Sequence, residues 1–176
     1  MARILGVGNA TLDIINHVDE YPSEDDEVRA HSQQVVRGGN AANTLVALSQ
    51  LGHRCAWAGT LADERDAGPI LADLEHYGID TAPVRRVPDG KVPTSYVTLS
   101  RRTGSRTIVH YRDLPELEHE DYARLDLTGY DWVHFEGRNL EQLGKMLEYT
   151  RQRHPTLPCS LEVEKPRDGI EALFPL

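Results

Sequence analysis

The segment Arg37-Gly38-Gly39-Asn40-Ala41-Ala42-Asn43 carries the densest chemistry in the sequence. Adjacent glycines let the backbone take positive φ and let a solute reach the main chain without meeting a Cβ. Asn40 and Asn43 are three residues apart, so in the first turn of a helix their carboxamides share a face. A carboxamide both donates and accepts, and the free N–H groups of a helix start stand beside it. This inventory reads hydroxyl groups, which makes a sugar the matching ligand class. The same residues also make a plain turn followed by an N-cap, so the motif alone leaves both readings open.

Other candidates are charged residues in apolar company. Asp13 lies between Leu12 and Ile14, where a carboxylate must find donors or serve as a loop cap. Glu136 closes the apolar run Trp132-Val133-His134-Phe135; it is either a substrate contact or the partner of Arg138. Arg106 starts a returning strand and is either a phosphate clamp or an exposed hairpin arginine. Lys165 and Arg167 follow Glu164 as further basic groups or as a solvated turn. Gly6-Val7-Gly8 lacks the third glycine of a dinucleotide fingerprint, Thr11 standing in its place. The eight histidines show no ligand spacing, and no transition-metal site is expected.

These groups need a scaffold, and 176 residues suit one domain with a proper core. Apolar residues at 39% and charged ones at 27% match a soluble globular chain. With 19 basic and 28 acidic residues the net charge is -9, which disfavours nucleic acid as a partner. Cys55 and Cys159 form no C-x-x-C pair and are expected as two buried thiols in a reducing compartment. Met1–Gly8 is too short for a signal h-region and no stretch approaches membrane-spanning length. A cytoplasmic protein without a membrane partner is expected, with the Asn9-Ala10-Thr11 sequon idle.

In order, Ile4–Gly8 reads as a buried first strand. Ile14–Val18 and Glu27–Val36 read as the arms of a polar flap around the acidic turn Tyr21-Pro22-Ser23-Glu24-Asp25-Asp26. The flap is a lid, a dimer surface or an edge strand blunted by charge. Asn40–Leu51 is a helix with Leu45, Leu48 and Leu51 inward and Gly52 as its stop. Cys55–Leu61 is a strand, and Asp66–Tyr77 a helix turning Ile70, Leu71 and Leu74 inward before Gly78. Ser95–Leu99 and Arg106–Tyr111 flank a glycine-tipped hairpin. Trp132–Gly137 is a strand, Asn139 the N-cap of a helix to Arg153 carrying Leu140, Leu143, Met146 and Leu147 inward, and Ser160–Glu164 a further strand. Alternating strands and helices predict an α/β, Rossmann-like, mostly parallel sheet flanked by helices, with ligands at the strands' carboxyl ends.

Gly8-Asn9-Ala10-Thr11-Leu12-Asp13, Arg37–Asn43, Gly104-Ser105-Arg106-Thr107-Ile108, Phe135–Asn139 and Val163–Arg167 together resemble successive motifs of the ribokinase (pfkB) family of carbohydrate kinases, and within it the ketohexokinase (fructokinase) branch. The resemblance runs through almost all 176 residues. It implies a ribokinase-like fold with a small β lid from 14–36, joined by 95–111, that clasps a second copy as a homodimer. By position it implies that Asp13, Gly38, Gly39, Asn40, Asn43 and Glu136 hold the sugar. It further implies that Asp25 reaches the partner subunit's sugar, that Arg106 faces the transferred phosphate and that Lys165 faces the nucleotide. The implied reaction is phosphorylation of a ketohexose such as fructose at a primary hydroxyl by ATP with Mg2+, K+ being an optional cation. Family members carry a later Gly-Ala-Gly-Asp segment, an anion hole with the general base. It does not occur in these 176 residues, so no catalytic residue is assigned here. The expectation is an amino-terminal, sugar-binding part of a kinase, inactive by itself. The alternatives are a non-catalytic sugar-binding or dimerisation module and a family kinase for ribose, another sugar or a nucleoside.

Overall fold

The structure is a computed structural model that describes residues 1–175. Four parallel strands form its first sheet, in the order β10-β9-β1-β4. They are β1 (Arg3–Val7), β4 (Arg54–Ala58), β9 (Trp132–Glu136) and β10 (Cys159–Glu162). The central β1 is covered on both faces, which is why its residues run Ile-Leu-Gly-Val without polar alternation. Crossovers from β1 to β4 and from β9 to β10 run in opposite directions, so right-handed connections put their helices on opposite faces. Helix α1 (Asn40–Gln50) packs Ala42, Leu45 and Val46 with Ile4 and Trp57, in a cluster that α2 (Ala67–His76) joins through Ile70 and Leu74. On the other face α4 (Leu140–Arg153) packs Leu143, Met146 and Leu147 against Leu5, Val7, Val133 and Phe135. Tyr122 of the short α3 (His119–Tyr122) is buried there and shares a hydrogen bond of 2.7 Å with Thr150.

A second four-stranded sheet has the order β3-β2-β7-β8: β2 (Thr11–Val18), β3 (Ser32–Gly38), β7 (Lys91–Ser100) and β8 (Arg106–Asp113). Parallel pairing of β2 with β7 joins the two hairpins into this one sheet. The irregular register between Lys91 and Thr94 falls at Pro93, which has no N–H to give the ladder.

Several boundaries differ from the sequence reading. The arm expected from Glu27 begins at Ser32, where His31 N–H closes the hairpin on His17 C=O at 2.8 Å; Glu27–Ala30 are outside the strand. The strand expected over Cys55–Leu61 breaks at Gly59, where any Cβ would collide with Gly8 C=O. The chain there leaves the main sheet, and β5 (Thr60–Ala62) pairs with β6 (Arg85–Val87). Leu51 is exposed at 76% because it is the C-cap rather than a core position, and Leu48 and Leu71 are only half-buried. Asn139 is the N-cap residue of α4 but sits at φ 34 and makes no side-chain capping bond. Cys159, expected buried, lies exposed on edge strand β10; Cys55 is buried and free, its thiol pushed up to about 11 by burial. Gly137 and Val163–Glu164 lie beyond the strands they were assigned to.

Candidate functional site

Three turns converge at the carboxyl ends of the main sheet. The turn after β1 carries Asn9, β9 ends at Glu136 with Arg138 in the turn after it, and the β3–α1 junction carries Gly39 and Asn40. Gly39 is the N-cap of α1 at φ 99, and a Cβ there would collide with the Asn9 carbonyl, so only glycine fits. A side chain at Gly38 would run into Asp13 Oδ2, which places this buried glycine against the aspartate on the paired strand. Gly38 and Gly39 thus bring the start of α1 beside β2.

Glu136 is 7% exposed and ties these turns together. Its Oε2 accepts from Asn9 N–H at 2.9 Å and from Ala41 N–H at 3.3 Å, the latter in the first turn of α1. A carboxylate there is favoured by the partial positive charge of the helix start. Oε1 faces Arg138 Nη1 at 3.6 Å, and Arg138 Nε donates to Glu116 at 2.9 Å. Glu136 is thus paired with Arg138, and it also lines the cleft. Burial works against the Arg138 charge, but the Glu116 hydrogen bond and the Glu136 and Glu164 carboxylates outweigh it and raise the pKa.

The cleft between the two sheets has a volume of about 740 Å³, within the usual range for a small-molecule site. Of the sequence candidates, Asp13, Gly39, Asn40, Asn43, Glu136, Arg106 and Lys165 all line it. Asp13 accepts from Thr11 Oγ1 at 3.0 Å, and Asn43 Oδ1 accepts from Arg37 Nη1 at 2.7 Å. That bond orients the Asn43 carboxamide, its NH2 remaining as donor. Arg37 is in turn held by Asp73 at 2.6 Å. Arg106 and Lys165 are exposed, and Lys165 Nζ is 3.8 Å from Glu164. Asp25 is in the exposed β2–β3 loop at φ 63 and does not line its own chain's cleft.

The residues missed in the sequence lie on the second sheet. Ser95 and His110 line the cleft with Asp13. Strand alternation from Arg106 puts His110 on the same face, the one signal that pointed to it. Arg138 and Arg167 add to the positive charge of the cleft, and Arg167 Nε donates to Gly137 C=O at 2.8 Å. Burial, then the Glu136 and Glu164 charges, raises the pKa of Glu162. Among the described residues no cluster of three or more His, Cys, Asp or Glu side chains is placed to hold a metal.

A parallel sheet with helices on both faces and a second sheet beside its carboxyl ends defines a ribokinase-like α/β protein. Solved structures agree on that fold. A PfkB protein from Polaromonas sp. JS666 superposes with a TM-score of 0.79 at 18% identity, covering 98% of this chain and 63% of its own. Arabidopsis thaliana ribokinase complexed with ribose and ATP gives 0.77 at 19%, covering 94% and 54%. The profile of the pfkB family carbohydrate kinases matches residues 1–174, and the chain belongs to that family. Among curated relatives, ketohexokinase of Mus musculus is 41% identical over 179 residues, 98% of this chain and 60% of that protein. Ribokinase of Bacillus subtilis is 28% identical over 109 residues, 62% of this chain and 37% of its own length. No helix among the described residues is long and apolar enough to cross a membrane.

Proposed function

We propose that the cleft binds a ketohexose such as fructose, and that these residues form the sugar-binding part of a ketohexokinase-like, ATP-dependent sugar kinase acting in the cytoplasm. The observation that carries this reading is the convergence of Asp13, Gly39, Asn40 and Asn43 on one cleft in a chain 41% identical to a ketohexokinase. Asp13 accepts from sugar hydroxyls, while Asn40 and the NH2 of Asn43 donate. Arg106, Arg138 and Lys165 offset the charge of the phosphoryl group moving from ATP to a primary hydroxyl. These cations fit the phosphates of ATP. Its Mg2+ would be held mainly by those phosphates, with Glu164 the carboxylate nearest Lys165. The base that takes the hydroxyl proton is assigned to none of the residues here.

The second sheet is the lid of this reading, and its outer face the homodimer surface. There the exposed Val35, Tyr96 and Val109 align across the strands with Ile14, an apolar row suited to a second copy. That clasp would carry Asp25 toward the partner's cleft.

Calorimetry with fructose on the wild-type chain and on Asp13→Ala/Asn43→Ala tests the site. A loss of affinity of roughly tenfold or more is expected, from two hydrogen-bonding groups at about 0.5–1.5 kcal/mol each or more where charged. Equal heats remove the assignment, and preference for ribose or a nucleoside in the same titration replaces the ketohexose.

A further inference from the structure

Three strands of the second sheet bring Asp13, Ser95 and His110 into one cross-strand row: Asp13 pairs with Ser95, and Ser95 with His110. All three line the cleft. The next row on that face is Ile15, Val97 and Ile108, so the polar row is bordered by an apolar one. Ser95 is only 9% exposed, and its Oγ lies 3.2 Å from His110 Nδ1. A hydroxyl can donate or accept, so it tethers the ring in either tautomer. His110 Nε2 has no hydrogen-bond partner among the described residues. Partial burial and the charges of Arg138, Arg112 and Lys165 hold the His110 pKa below its ordinary value, against the pull of Asp13. The imidazole is therefore neutral near pH 7, with one nitrogen tied to serine and the other free for a ligand.

We propose that His110 is a further sugar-contacting residue that sets specificity, reading one hydroxyl from the second sheet while Asp13 reads another two strands away. The proposal rests on the reading of the cleft as a sugar site. Two strand spacings separate the ends of the row by roughly 10 Å at the backbone. Side chains reaching in from both ends then close on a ligand with hydroxyls on opposite sides, and the apolar row beneath receives its C–H face.

The test is calorimetry of the 176-residue chain with fructose and with its 3-, 4- and 6-deoxy analogues. His110→Leu should bind fructose roughly three- to tenfold more weakly, the effect of one lost hydrogen bond. His110→Gln, which still donates and accepts, should recover most of the loss. One deoxy analogue should bind wild type and His110→Leu equally, because the hydroxyl that the imidazole reads is already gone; a merely structural role would weaken every analogue alike. Ser95→Ala, which frees the ring, should show the same analogue dependence at smaller amplitude and serves if His110→Leu does not fold. Unchanged fructose binding by His110→Leu, or an equal loss for every analogue, overturns the proposal while leaving the Asp13 and Asn43 assignment intact. A wild-type chain that does not bind fructose removes both.

Discussion

Replacing Glu136 tests the claim that one carboxylate fastens the start of α1, the Asn9 turn and the end of β9. In Glu136→Gln the amide oxygen can occupy the Oε2 position and keep both backbone N–H bonds, at 2.9 and 3.3 Å in the wild type, but without charge. Bonds to charged groups contribute about 1.5–3 kcal/mol and neutral ones about 0.5–1.5, so the two together lose about 2 kcal/mol. Arg138 loses one of its two ion-pair partners, but at 3.6 Å and with its side chain 32% exposed this adds about 0.5 kcal/mol. The sum is about 2–3 kcal/mol, or roughly 5–10 °C in Tm for a chain of this size. Glu136→Ala leaves two buried donors unpaired, each at about 1–3 kcal/mol, and should cost about 4 kcal/mol. Urea denaturation with an unchanged m-value reads both. A Glu136→Gln chain within about 0.5 kcal/mol of wild type would refute the reasoning, since it would mean that neither the charge nor the helix start contributes.

Gly39→Ala should destabilise by about 2 kcal/mol or more, because φ 99 is strained for alanine and its Cβ meets the Asn9 carbonyl; thermal unfolding checks this, and a neutral effect would mean that the turn can relax. His134 has its pKa lowered by burial, and its Nε2 is buried without a partner. The unfolded chain then binds more protons than the folded one below the ordinary histidine pKa of about 6.5. The stability that a neutral His134 provides is full above that value and falls as pH drops below it. His134→Gln should flatten the slope of unfolding free energy against pH between about 6.5 and 5, and an unchanged slope would assign that dependence elsewhere.

Much of the main sheet was legible because its signals are local. Ile4–Val7, the Gly-Gly-Asn entry to α1 and the run ending at Glu136 each announce themselves within a few residues. The misjudged features depend on partners far along the chain. Cys55–Leu61 is a continuous apolar run, and what breaks it is the Gly8 carbonyl pressed against Gly59. Cys159 is apolar in sequence context, yet β10 is an edge strand with β9 on one side. Leu51 has helical spacing from Leu48, but the helix has ended before the position could turn inward.

For the cleft, the amino-acid types were readable and their geometry was not. Asp13, Asn40, Asn43 and Glu136 are conspicuous because a charge or amide among apolar or small residues needs a reason. Ser95 and His110 look ordinary on a polar hairpin, and their place beside Asp13 follows from a single fact of register, the parallel pairing of β2 with β7. Shift that pairing by one residue and Thr94 or Tyr96 takes the place opposite Asp13, while Ser95 points to the outer face. The row exists because Leu12 and Thr94, paired and buried at 3% and 1%, fix the register from the core side. Packing beneath the sheet therefore decides which polar groups meet above it, and a core substitution at Leu12 that let β2 slip would dismantle the cleft without touching a residue that lines it.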